Sequence, residues 1–137
     1  MPVIRRAEPK DLVEIAGIQN ACPQAAQWPV QDYLAYDLWV AVDHRVAGFL
    51  CARPLAPGEW EVLNLAVASE SRRRGIARAL LKNLIATVSG TVFLEVRASN
   101  EAALQFYKSM NFEVVSTRNN YYQNPPESAI VMKFHSC

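Results

Sequence analysis

The sequence predicts a mixed α/β domain, one sheet with helices on both faces, and three observations predict it. The run Val-Leu-Asn-Leu-Ala-Val at residues 62–67 is too apolar on both faces for a half-exposed strand and reads as a central one. After a short polar turn at 68–71 the apolar period becomes helical. Ala77, Leu80, Leu81, Leu84 and Val88 then fall at i, i+3, i+4, i+7 and i+11, with Arg78 and Lys82 on the outer face. The remaining runs complete the order βα(α)βββαβαββ, which requires a mixed sheet.

Residues 3–6 read as a short strand. Glu8-Pro9 starts a helix, with proline at a tolerated first-turn position. Leu12, Ile15, Ala16 and Gln19 give that helix a mostly apolar face, and Cys22-Pro23 ends it. A loop at 24–29 leads into a short helical segment to about Tyr36. Residues 38–42 and 46–53 form a hairpin around Asp43-His44-Arg45, and 54–58 is a turn into the central strand, which begins as early as Glu59. The strand 91–96 follows the central helix and should run parallel to the central strand. Ser99-Asn100 caps a third main helix reaching Met110 and packed through Ala103, Phe106 and Met110. Asn111-Phe112 turns into a strand to Tyr122, 123–127 is a loop, and 128–134 is the last strand.

The bulk properties exclude several classes. At 137 residues without repeats or linkers, the chain reads as one domain, 1–137, that buries roughly two-thirds of its unfolded surface. It is 51% hydrophobic and 20% charged, an ordinary globular balance. No apolar run approaches the ~20 residues of a membrane span, and the N-terminus lacks a signal peptide's apolar core. Cys22, Cys51 and Cys137 are odd in number and lack metal-ligand spacing, so they read as reduced thiols of a cytoplasmic protein. His44 and His135 lie far apart in sequence, which speaks against a zinc site or a histidine-based triad. A net charge of +1 speaks against a dedicated nucleic-acid binder. Neither metal, nucleic acid nor membrane is expected.

Chemistry is expected first where the central strand meets its helix. A helix start presents unpartnered N–H groups and a partial positive charge, and Gly75 and Ala77 let an anion approach the backbone. Arg72, Arg73, Arg74, Arg78 and Lys82 lie between Ser71 and Leu94 with no acidic residue among them. A diphosphate suits such a site; the plain alternative is a solvated basic helix start. Glu95 stands within an apolar strand of Val92, Phe93, Leu94 and Val96. Burial should raise its pKa and make it a general base, unless an arginine such as Arg97 pairs with it. Asn100 reads as a helix N-cap. Tyr107 reads as core packing or as a phenol able to protonate a departing thiolate.

Arg72-x-x-Gly75-x-Ala77 after a buried strand resembles the pyrophosphate loop of the GCN5-related N-acetyltransferases. The wider set comprises Asn64-Leu65-Ala66-Val67, Arg73-Arg74-Gly75-Ile76-Ala77-Arg78, Leu94-Glu95-Val96-Arg97-Ala98-Ser99-Asn100, Tyr107, Asn111-Phe112 and Asn120-Tyr121-Tyr122. Over about 62–134 it looks like the ribosomal-protein-alanine N-acetyltransferase, or RimI-type, branch. That resemblance implies a mostly antiparallel seven-stranded sheet in the order 1-2-3-4-5-7-6. Its central strands 4 and 5 would be parallel and splayed to admit acetyl-CoA. It implies Glu95 as proton acceptor, Tyr107 as proton donor, and Asn100 as a contact to the pantetheine arm. Leu65, Ala66 and Val67 would hold the acetyl group and pantetheine through their backbone. Arg73, Arg74, Gly75, Ile76, Ala77 and Arg78 would form the pyrophosphate loop.

Ala77 replaces the commoner glycine, and Gln27-Trp28-Pro29 replaces Pro-Trp-Ser in a loop expected to meet substrate. Trp28, Tyr121 and Tyr122 would wall a narrow mouth over the acceptor. The implied function is transfer of acetyl from acetyl-CoA to a protein N-terminal amine, such as the alanine of ribosomal protein S18, directly in a ternary complex. The alternatives are a lysine side chain or small amine as acceptor, or a CoA-binding sensor without turnover.

Overall fold

Strand β1 (Val3–Arg6) pairs antiparallel with β2 (Asp37–Asp43), and Arg6 stacks 4.5 Å above the ring of its partner Trp39. The structure is a computed structural model that describes residues 2–122 and 126–136; Gln123, Asn124 and Pro125 of the expected loop, and Cys137, lie outside the described residues. The other strands are β3 (Arg45–Ala56), β4 (Glu59–Val67), β5 (Gly90–Arg97), β6 (Glu113–Tyr122) and β7 (Glu127–Ser136). They form one sheet in the order β1-β2-β3-β4-β5-β7-β6, with β4 and β5 parallel and β1–β2, β2–β3, β5–β7 and β7–β6 antiparallel, as the family resemblance implies. The main helices are α1 (Leu12–Asn20), α2 (Ile76–Thr87) and α3 (Glu101–Ser109). The chain clusters into two compact units, each described below.

The first unit holds residues 1–53 and 62–88. Its α1 does not begin at Glu8-Pro9: a 3-10 turn, Pro9–Asp11, comes first, closed by the Asp11 carboxylate accepting from the Glu8 N–H. The segment after the loop, Val30–Ala35, is likewise a 3-10 turn. Ile15 and Ile18 of α1 pack with Tyr33, Val40, Phe49 and Cys51 on one face of the sheet. Ile76 of α2 reaches the other face, where a Cβ on Gly48 would lie 3.0 Å from the Ile76 side chain and from the Ala66 carbonyl. Helices therefore cover both faces here. The hairpin turns at His44, whose φ is 68°, and β3 runs on to Ala56, so the turn expected at 54–58 shrinks to its end. Burial of β4 alternates, with Val62, Asn64 and Ala66 buried and Leu63, Leu65 and Val67 half-buried, rather than being complete on both faces.

The second unit holds residues 54–61 and 89–137. Here β4 and β5 pair as Glu59 with Thr91, Trp60 with Val92 and Glu61 with Phe93. Along β5, Val92, Leu94 and Val96 are buried while Phe93, Glu95 and Arg97 are only half-buried. Against the buried face lies α3, whose inward residues are Leu104 and Tyr107 rather than the expected Ala103 and Phe106; Met110, just past its end, is buried as expected. Tyr107 meets Phe112 edge-on at 5.5 Å between ring centroids, and Phe112 meets Phe134 at 5.6 Å. Phe134 lies opposite Val92 in the β5–β7 ladder, which fixes this aromatic row on the Val92 face.

Candidate active site

In the first unit, α2 starts at Gly75, whose φ of 76° and ψ of 17° suit a residue without Cβ. A Cβ there would meet nothing within 4 Å, so space lies open over the helix start. Glycine offers no side chain to cap the helix, and the first-turn N–H groups are oriented for an outside acceptor. Arg73 precedes it with a φ of 65°, another left-handed position in the same turn. One charge of the basic run is paired from afar, Arg74 with Asp43 at 2.9 Å, while Arg72 keeps its charge and donates to the Cys22 Sγ at 3.3 Å. The turn therefore fits a diphosphate with backbone and arginine donors together. Leu65, Ala66 and Val67 lead into it on β4, where Ala66 is buried and the other two half-buried.

A buried polar network stands beside that strand. The Asn64 side-chain amide donates to the Ala26 carbonyl at 2.9 Å, to the Tyr33 phenol oxygen at 2.9 Å and to Gln19 Oε1 at 3.2 Å. Tyr33 donates to Gln19 Oε1 at 2.6 Å, and Gln19 Nε2 donates to the Trp28 carbonyl at 2.7 Å. Burial pushes the Tyr33 phenol up to about 12. Gln27 ties the same loop to the carbonyls of Gln19, Cys22 and Ala25. The loop carrying Trp28, itself exposed, is thus hung from α1 and β4. The sequence reading missed this network. Its signals were Gln19 on an apolar helix face and Asn64 within an apolar strand, since buried polar groups require partners.

In the second unit, Glu95 is ion-paired, the alternative that the sequence left open beside an unpaired general base. Its Oε1 accepts from Arg118 Nη1 at 2.7 Å, so the ion-pair partner is Arg118 rather than Arg97. Arg97 instead pairs with Glu127 at 3.4 Å and covers the Tyr122 ring at 4.2 Å, while Arg118 covers the Tyr121 ring at 4.1 Å. Each adjacent tyrosine therefore carries a guanidinium, and each guanidinium has one carboxylate. Arg118 was not singled out in the sequence because a bulge between Arg118 and Tyr122, with Asn120 at a φ of 53°, breaks the simple alternation of β6.

Asn100 caps α3 as expected, its Oδ1 accepting from the Ala103 N–H at 3.2 Å. Tyr107 is buried, and burial holds its phenol well above the ordinary value, with Tyr122 adding to the effect. Glu95 stands on β5 paired with Arg118, and Tyr107 stands on α3 with its ring against Phe106 and Phe112. Tyr122, pushed up to about 12 by burial and next by the Glu95 charge, interacts electrostatically with both.

The described residues contain no cluster of three or more His, Cys, Asp or Glu side chains placed to hold a metal, and no helix long and apolar enough to cross a membrane. A 1-2-3-4-5-7-6 sheet, a parallel central pair and a glycine-led basic helix start define an N-acyltransferase fold. Residues 10–112 match the acetyltransferase (GNAT) family. The chain is 37% identical over 102 residues to the [ribosomal protein bS18]-alanine N-acetyltransferase of Salmonella typhimurium, covering 70% of this chain and 68% of that protein. It is 41% identical over 80 residues to the Escherichia coli protein of that name; this match spans 54% of each chain, about half the relative's length. The crystal structure of the E. coli ribosomal-protein-S18-alanine N-acetyltransferase superposes with a TM-score of 0.84 at 30% identity, covering 99% of this chain and 94% of that one. The chain belongs to the GNAT family, and it is an acetyl-CoA-dependent N-acetyltransferase of RimI-like type.

Proposed function

We propose that residues 1–137 work as one transferase domain that acetylates the N-terminal α-amine of a protein, with an alanine-led terminus such as that of ribosomal protein S18 as acceptor. The observation that carries this reading is the 37% identity, over 102 residues, with an enzyme named for acetylating that alanine. The match at 41% supports the same acceptor. Two local features support the reading, each within its own unit: an open, glycine-led helix start, and a half-buried carboxylate with an adjacent pair of tyrosines on β6.

Acetyl-CoA supplies an activated acetyl thioester. Gly75, Ile76 and Ala77 would offer backbone N–H groups to its diphosphate, with Arg73, Arg74 and Arg78 adding charge. Leu65, Ala66 and Val67 would hold the acetyl and pantetheine portion, and Asn100 would contact the pantetheine arm. Glu95 would accept the ammonium proton of the acceptor, directly or through water, and the Tyr107 Oη would hold the proton destined for the leaving thiolate. Transfer would be direct, with both substrates bound, in the cytoplasm. An alanine-initiated peptide should be acetylated faster than its N-blocked, lysine-containing counterpart. The reverse preference would move the acceptor to a lysine side chain.

A further inference from the structure

Glu95 and Tyr121 together form a seat for a cation, one giving a carboxylate and the other a ring face. Arg118 fills it, with Nη1 2.7 Å from Glu95 Oε1 and its guanidinium carbon 4.1 Å from the Tyr121 ring centre. The two partners differ in exposure: the Glu95 side chain is 16% exposed and the Arg118 side chain 54%. The carboxylate is covered, while the group covering it looks out to water. Arg118 also lies on β6, the terminal strand of the sheet order, where every residue to Tyr121 is exposed. Leaving the seat would cost it one surface ion pair and one stacking contact.

The other charged groups nearby leave this seat to Arg118. Arg97 is engaged with Glu127 and the Tyr122 ring. Glu61 acts electrostatically on both Arg118 and Tyr121, adding to the negative potential around the seat. The pair also keeps the half-buried carboxylate from standing unpaired when no acceptor is present.

We propose that Arg118 is an internal stand-in for the acceptor's ammonium, occupying the seat made by Glu95 and Tyr121 and yielding it when a free N-terminus docks. The inference rests on Glu95 as the acceptor-side base. An α-ammonium has the same chemical demands as the guanidinium and is smaller, so the exchange replaces one cation by another at the carboxylate and returns the arginine to solvent. A blocked N-terminus has no charge to offer and gains nothing. Arg118 is thereby a specificity-determining residue that competes with substrate.

Calorimetry with an alanine-led peptide, free or N-acetylated, in the presence of CoA tests this. Arg118→Gln and Arg118→Met should each bind the free-amine peptide about fivefold more tightly than wild type, the worth of an exposed ion pair with ring stacking. The N-acetylated peptide should bind all proteins alike, and Arg118→Lys should behave as wild type. In turnover, the acceptor KM should fall in the same proportion while the acetyl-CoA KM stays fixed. Unchanged or weaker binding of the free-amine peptide to the charge-removing variants overturns the proposal, as does equal tightening for the blocked peptide. Failure of the base reading shows separately, as a Glu95→Gln protein with wild-type kcat.

Discussion

The Asn64 amide nitrogen lies 2.9 Å from the Tyr33 phenol oxygen, and the same nitrogen reaches the Ala26 carbonyl at 2.9 Å. One side chain on β4 thus holds both the core tyrosine and the loop that carries Trp28. The Asn64 Oδ1 in turn accepts from the Leu65 N–H at 3.0 Å. Asn64→Leu keeps the branched shape at Cγ but removes both donor and acceptor, leaving Gln19, Tyr33 and Ala26 short of a partner. The expected loss is about 2–3 kcal/mol, as for several buried polar groups left unpaired together. A urea midpoint with an unchanged slope measures it, and a loss below about 0.5 kcal/mol would contradict the account.

Gly75→Glu should weaken CoA binding by roughly tenfold or more, since it places a negative charge at the helix start meant for the diphosphate. Space does not oppose the side chain, because a Cβ there meets nothing within 4 Å. The positive φ of 76° does impose a strain of about 1 kcal/mol. Gly75→Asn separates the two effects, since asparagine tolerates that conformation without adding charge. Calorimetry on both folded variants should show affinity lost mainly with glutamate. Unchanged CoA affinity in the glutamate protein would remove the site.

Strand and helix identities were legible because the apolar periods of 62–67 and 76–88 are strong, and the strand order followed from the motif set. What stayed hidden depends on partners distant in sequence. Glu95 meets Arg118 across 23 residues, and Asp43 meets Arg74 across 31. No local pattern encodes either pair, and the β6 bulge removes the alternation that would have placed Arg118. The inward face of α3 was misread for a subtler reason. Ala103, Phe106 and Met110 satisfy the helical period, but Leu104 and Tyr107 satisfy an adjacent stripe equally well, and burial selected the second.

The Arg5–Asp11 pair should make stability sensitive to acid. Asp11 is buried and takes two bonds from Arg5, at 2.8 and 3.0 Å, and one from the Glu8 N–H at 2.7 Å. The hydrogen bond from Arg5 is the main reason its carboxyl sits below the ordinary 3.8. A lowered folded-state pKa means the contribution is fully present above the unfolded value and is lost as pH falls through the folded one. Unfolding midpoints should therefore decline as pH drops below about 4, and Asp11→Asn should flatten that decline. An equally steep decline in the variant would assign it to other groups.

Glu95 and Tyr107 should divide the proton work. An α-ammonium has a pKa near 8, so about a tenth is neutral at pH 7, whereas a lysine near 10.4 is neutral in only ~0.04%. Either amine must lose a proton before or during attack, and the α-amine asks less of its base. Glu95 carries a partner, Arg118, that can swing to water, and Tyr107 is buried with its proton held firmly on. Glu95→Gln should lower kcat by roughly 10²-fold and weaken the acidic limb of the pH profile. Tyr107→Phe keeps the ring that packs against Phe106 and Phe112, so the fold should persist while kcat falls and acetyl-CoA affinity stays near wild type. Because the two residues would handle different protons, their effects should differ in kind: the glutamate should set the response to acid, the tyrosine the response to the leaving group. An acyl donor with a more acidic thiol should therefore recover part of the Tyr107→Phe loss and none of the Glu95→Gln loss. Wild-type kcat and pH dependence in both variants would mean that catalysis proceeds by positioning the two substrates alone.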